Sequence, residues 1–172
     1  METIQNNWNS IYKQLYTIKN FDPDSFVNNI QFLVGQIYFF NNRVAMNQTG
    51  DPATSFFKPK SSPKIGQIAY FNLTDGFPKE LKGGHWCYVV QRMKGKFLII
   101  PCTSIKNDLK KADTDYQLDI EVENFPNSRG TRLQLSDMRS IDAQRLYFNK
   151  GFYNVVTPIE EINAKLIKII TQ

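Results

Sequence analysis

The hydrophobic period of this chain changes at Pro63, and that change restricts the folds open to it. Upstream, Ile4, Trp8, Ile11, Tyr12, Leu15 and Ile18 recur at helical spacing, which predicts a helix over residues 3–19. Asn20 to Pro23 interrupts the pattern. Asp22 or Asp24 is suited to cap a second helix, with Pro23 in its first turn. Phe26, Ile30, Leu33, Val34, Ile37 and Tyr38 form its wide apolar stripe, which tolerates Gly35 and fades near Met46. Residues 1–46 therefore read as an αα-hairpin. Gly50-Asp51-Pro52, Pro59 and Ser61-Ser62-Pro63 punctuate residues 47–63, which read as a linker; Phe56 and Phe57 suggest that part of it docks.

Downstream the period is two. Residues 65–73 alternate apolar and polar, and strands are expected at 86–91, 96–102, 117–122, 131–135 and 139–141. Met93-Lys94-Gly95-Lys96 reads as a hairpin turn. Many short strands with tight turns point to a small barrel or a strongly coiled sheet. Thr157-Pro158-Ile159-Glu160 has the form of a capping box, and Ile159, Ile162, Leu166, Ile169 and Ile170 make one apolar helical face after it. The expected fold is thus mostly β with appended helices, over residues 64–172, joined to the N-terminal hairpin.

Charge and composition narrow the function classes. A net charge of +5 suits a polyanionic partner, RNA or DNA first among them, although it also serves plain solubility. Cys87 and Cys102 are too few for a disulfide framework and sit in apolar runs, so buried free thiols are expected. The N-terminal residues lack the pattern of a signal peptide, and no apolar run reaches the ~20 residues of a membrane span, which gives a soluble, cytoplasmic protein as the expectation.

Three stretches could carry chemistry. The loop Thr74 to Gly84 holds Lys79, Glu80, Lys82, Gly83 and Gly84, and it leads into His85-Trp86. Glycines let a backbone approach a phosphate, and His85, the only histidine, is the group best suited to exchange protons near neutral pH. A surface loop entering a strand explains the same residues without function. Thr103, Ser104 and Lys106 end an apolar strand, where two hydroxyls and an ammonium could hold a phosphate; a polar strand end is the plain alternative. The run Asp137 to Leu146 contains Arg139 and Asp142, most simply members of a structural Arg–Asp network. No P-loop, nucleotide fingerprint or metal-spaced ligand set is present, so neither cofactor nor metal is expected.

In order along the chain these stretches resemble the MazF/PemK/Kid family of toxin endoribonucleases. Lys64 to Leu73 is similar to the family's first strand, and Lys79 to Trp86 stands where the family has a Ser-Glu-Gln-x-Gly-x-Arg-Pro loop. Leu98 to Ser104 is similar to the apolar strand ending in Pro-(Leu/Ile)-Thr-Ser. Met138 to Leu146 is close to Ile-Arg-(Ser/Thr)-Ile-Asp-x-x-Arg-Leu, the most specific of these matches. The resemblance covers residues 64–172. It implies a small, twisted, SH3-like (PemK-type) β-barrel, a homodimer, and metal-independent cleavage of single-stranded RNA by 2′-hydroxyl transesterification. It further implies a cognate antitoxin, usually a protein with a disordered acidic tail. The family's catalytic Thr matches Thr103, whereas its loop Arg is replaced by His85 and the following Pro by Trp86. His85, Thr103, Ser104 and Lys106 are accordingly the expected catalytic set, with Glu80 a second candidate base. Lys79, Glu80, Lys82, Gly83, Gly84 and Trp86 are the expected RNA contacts. Thr103-Ser104-x-Lys106 also looks like the active-site run of ToxN ribonucleases, where a Lys carries charge near the phosphate. Two rival expectations remain: a gyrase poison of the CcdB type, which shares the fold and cleaves nothing, and a barrel that only binds RNA or a partner.

Overall fold

The computed structural model describes residues 2–74, 76–77, 79–105, 111–126 and 129–171. The chain divides into two units, Met1–Phe39 and Phe40–Gln172. Among the described residues, three α-helices and seven strands paired antiparallel make it a mixed helix and sheet protein. No helix among the described residues is long and apolar enough to cross a membrane.

The first unit holds α1 (Glu2–Leu15) and α2 (Pro23–Phe39). α1 ends earlier than its apolar spacing predicts. The Thr17 hydroxyl bonds back to the Gln14 carbonyl, and Asn20 takes a positive φ of 56°, which no helix continues. Asp22 is the cap of α2: its Oδ1 accepts the Ser25 N–H at 3.0 Å. Phe21 before the cap and Phe26 in the fourth helical position pack with ring centroids 5.4 Å apart, a hydrophobic staple that sets the angle at which the chain joins the helix. Trp8, Ile11, Tyr12 and Leu15 of α1 and Val27, Ile30 and Val34 of α2 line one groove of about 490 Å³.

The second unit opens with a π-helical turn, Phe40–Ala45, so the expected helix over this stretch keeps winding after its α-helical hydrogen bonding stops. The segment expected as a linker lies in part on the sheet. Gln48 bonds both backbone groups of Phe56, Phe57 packs on the core, and Pro63 is fully buried. Gly95 makes this possible. A Cβ there would lie 2.7 Å from Phe56 Cβ, and the turn needs φ +71°.

The strands are β1 (Gln67–Asn72), β2 (Gly84–Met93), β3 (Lys96–Ser104), β4 (Gln117–Ile120), β5 (Thr131–Gln134), β6 (Arg139–Asp142) and β7 (Phe152–Asn154). Their order is β4-β5-β3-β2-β1-β7, with β6 pairing the first half of β3 and β5 its end. Beyond β4 and β7 the two ends of this order meet: Val122 bridges Val155, with Glu123 N–H on the Asn154 carbonyl and Val156 N–H on the Glu121 carbonyl, both 2.9 Å. Successive residues of the central strands enter different cores, as period two requires. Ala69, Phe71, Cys87, Val89, Phe97 and Ile99 lie in one; Ile68, Tyr88, Ile100, Cys102 and Leu133 lie in the other. Burial on both faces explains the unbroken apolar run of β3.

α3 (Ile159–Ile170) buries Ile162 and Leu166 in the second core. The expected capping box is not formed. Pro158 occupies the cap position with no side-chain bond, and the Thr157 hydroxyl instead accepts the Glu121 N–H at 2.8 Å. A tertiary bond beside the Val122–Val155 bridge has outcompeted the local motif.

Candidate functional site

β1 and β2 are joined by the loop expected to contact RNA. Its base is a continued hairpin: Leu73 N–H bonds the Gly83 carbonyl at 2.7 Å and Gly83 N–H bonds the Thr74 carbonyl at 2.8 Å. Lys79 and Lys82 are exposed. The Glu80 carboxylate accepts the Phe77 N–H at 3.1 Å, so it helps shape the loop. Gly83 takes φ +75°. Gly84 has a steric reason: a Cβ there would strike the Tyr70 side chain.

His85 follows on β2. Cys87 lies opposite Pro101 and Tyr88 opposite Ile100, so His85 stands just past the paired stretch, beside the end of β3. The imidazole Nδ1 lies 3.3 Å from the Cys102 carbonyl. A carbonyl only accepts, so Nδ1 carries the proton and, in the neutral ring, Nε2 is the basic nitrogen. His85 is thus set beside the end of β3 that carries Thr103. Trp86 turns away from it. As the next residue in the strand it points to the opposite face, where its ring packs edge-on against Tyr70, Phe125 and Tyr153 at 5.2–5.3 Å. Ser104 ends β3 opposite Thr131 and is exposed. Lys106 lies outside the described residues.

Thr103 stands in a polar ladder that the sequence reading missed. Across the sheet it is level with Arg132 of β5 and Asp119 of β4, so the three side chains share a face. Arg132 grips Asp119 through Nε and Nη2, the latter 2.9 Å from Oδ2. Two residues along, Gln134 lies opposite Gln117, and its Nε2 donates to the Thr103 hydroxyl at 2.7 Å. The alternation in Thr131-Arg132-Leu133-Gln134 was the available signal, since it sets Arg132 and Gln134 on the face away from the buried Leu133. With its side chain only 11% exposed, Arg132 depends on Asp119, which is 44% exposed. Asp119→Ala should lower stability by about 1–2 kcal/mol in urea unfolding, because water near so open a carboxylate site compensates in part. Asp119→Asn, which keeps one acceptor, should lose less. No loss in either would show that the guanidinium does not need the contact.

The run 137–146 clasps the loop. Arg139 Nη2 donates to the Leu81 carbonyl at 3.2 Å and sits 3.6 Å from Asp137 Oδ1; Arg145 Nη1 donates to the Asn72 carbonyl at 3.3 Å. The carboxylate in contact with Arg139 is therefore Asp137 rather than Asp142, which caps residues 143–145 by accepting the Gln144 N–H at 2.8 Å. Burial lowers the Arg145 pKa, with Arg139 adding to the effect and Asp142 opposing it. Both cysteines are free and buried. Burial pushes the Cys102 thiol to about 12 and the Cys87 thiol well above its ordinary value, so neither offers a thiolate near neutral pH. No group of three or more metal-ligating side chains occurs among the described residues.

No protein-family model matches this chain, and no curated protein matches it in sequence.

Proposed function

We propose that the second unit is an endoribonuclease of MazF/PemK type that cleaves single-stranded RNA by transesterification, the toxin of a toxin–antitoxin pair. The observation that carries the reading is the His85 imidazole with Nδ1 on the carbonyl of Cys102, the residue before Thr103 in β3. In the reaction the ribose 2′-oxygen attacks the adjacent phosphorus, and its proton passes to His85 Nε2. The bond to the 5′-oxygen breaks, and that oxygen takes up a proton, leaving a 2′,3′-cyclic phosphate and a 5′-hydroxyl. Thr103 holds a non-bridging oxygen and Lys106 offsets the developing charge, whereas Ser104, the next residue along β3, faces the other way and is left out of the phosphate contacts. The loop with Lys79 and Lys82 contributes sequence-independent attraction to the RNA backbone.

The same reading takes the sheet as a PemK-type, SH3-like barrel, supported by the Val122–Val155 bridge between the ends of the strand order, and α1 with α2 as a helical hairpin sharing one groove. It takes the partners to be single-stranded RNA, a second copy and an acidic protein antitoxin. The deciding experiment is incubation of the pure protein with mixed RNA in EDTA, with the products tested for a 2′,3′-cyclic phosphate. Arrest of growth without cleavage of any RNA would favour the gyrase-poison class instead. Light scattering at micromolar concentration should return twice the 20.0 kDa chain mass, and a strict monomer would remove the proposed two-chain groove.

A further inference from the structure

The hydroxyl of Thr103 ends a directional chain of hydrogen bonds that begins at a backbone amide. Asp113 N–H can only donate, and it donates to Gln117 Oε1 at 3.0 Å. The Gln117 backbone N–H returns a bond to the Asp113 carbonyl at 2.8 Å, so the two residues are tied through backbone as well as side chain. A carboxamide with its oxygen turned to Asp113 turns its NH2 outward, and Gln117 Nε2 donates to Gln134 Oε1 at 3.0 Å. Gln134 is then obliged to turn its own NH2 to Thr103, where Nε2 donates to Oγ1 at 2.7 Å. A hydroxyl has one hydrogen to give. Thr103 receives at this bond, and among the described residues nothing accepts its proton.

We propose that Gln134 and Gln117 are positioning residues that set Thr103 as a hydrogen-bond donor, and so select an anionic oxygen, the RNA phosphate, as its ligand. The inference rests on the ribonuclease reading for the identity of that phosphate. Were either amide turned over, Thr103 would spend its proton on Gln134 Oε1 and show only lone pairs to the phosphate. Gln117 touches neither Thr103 nor the proposed reacting atoms, yet it decides the polarity, because the backbone donor at Asp113 admits only one sense.

The test uses the full chain and two substitutions at that remote position. In the parent, NMR should show an NOE between the Gln134 side-chain amide protons and the Thr103 methyl. Gln117→Glu presents an acceptor to both Asp113 and Gln134, so Gln134 should turn its NH2 away and the NOE should vanish while the fold persists. Cleavage should then fall by about 10- to 100-fold, the loss of one charge-assisted hydrogen bond. The ratio of variant to parent rates should recover as pH falls through the carboxyl range, because a protonated Glu can again donate to Gln134. Gln117→Met adds no charge and frees Gln134 to take both orientations; it should lose a few-fold in rate with no recovery in acid. Persistence of the NOE in Gln117→Glu overturns the polarity argument. Parent-like cleavage by Gln117→Met alongside a slow Gln117→Glu overturns it as well, since added charge alone would then explain the loss. A parent that cleaves no RNA removes the ribonuclease reading and the phosphate with it, while the NOE still decides which way Thr103 is set.

Discussion

His85→Ala is expected to lower RNA cleavage by about 10²–10⁴-fold, the usual consequence of losing a general acid or base. The size follows from the anchoring of the ring. With Nδ1 donating to the Cys102 carbonyl, Nε2 is left as the acceptor, the nitrogen that the proposed mechanism uses as its base. Pro101 and Cys102 are buried in β3, which packs the carbonyl that holds the ring into the sheet. The alanine variant should stay folded, because His85 is partly exposed and contributes little packing. His85→Arg is the informative companion. It restores the charge typical of the resembled family and supplies no base, so it should bind RNA at least as well as the parent and cleave it by a different pH profile. Cleavage by His85→Ala at the parent rate would sink the mechanism and leave Lys106 or Glu80 to move the proton. Of these, Glu80 already accepts the Phe77 N–H.

The switch of period at Pro63 was legible because it follows from backbone geometry alone: helical stripes before it, alternation after it. The edges of β2 and β3 drifted by two residues because Ser104 and Gly84 pair through the backbone, which composition does not reveal. β7 went unread because three residues after Gly151 are too short to show alternation. The candidate site divides along the same line. That His85 lies near the end of β3 was legible because β2 and β3 are joined by a short hairpin. The Asp119–Arg132 pair and the Gln117–Gln134–Thr103 ladder depend on pairing of β3, β4 and β5 across 13 to 31 residues of sequence, which no local pattern encodes. Trp86 faces away from His85 because neighbours along a strand alternate, which the sequence itself encodes. Thr157 shows the reverse error, a sound local motif overridden by a distant amide.

Phe71→Ala should produce the largest change in stability, about 3–5 kcal/mol by urea unfolding with an unaltered slope. Phe71 is 0% exposed near the end of β1, packs against Phe97 with ring centroids 5.5 Å apart, and shares its core with Cys87, Val89, Ile99 and Leu146. Removing the ring takes away its transfer free energy and leaves a hole that the surrounding strands, fixed by hydrogen bonds on both edges, cannot close. Phe77, 79% exposed in the adjoining loop, is the matched control, and its alanine variant should shift stability by no more than about 0.5 kcal/mol. Phe71 is also the register partner of His85, which ties the core to the candidate site. In the residual folded population of Phe71→Ala the backbone pairing survives, so cleavage per folded molecule should stay within a few-fold of the parent while the folded fraction drops with temperature. Were cleavage to vanish under conditions where circular dichroism reports a folded protein, the ring would be acting on His85 itself rather than on the stability of the sheet that carries it.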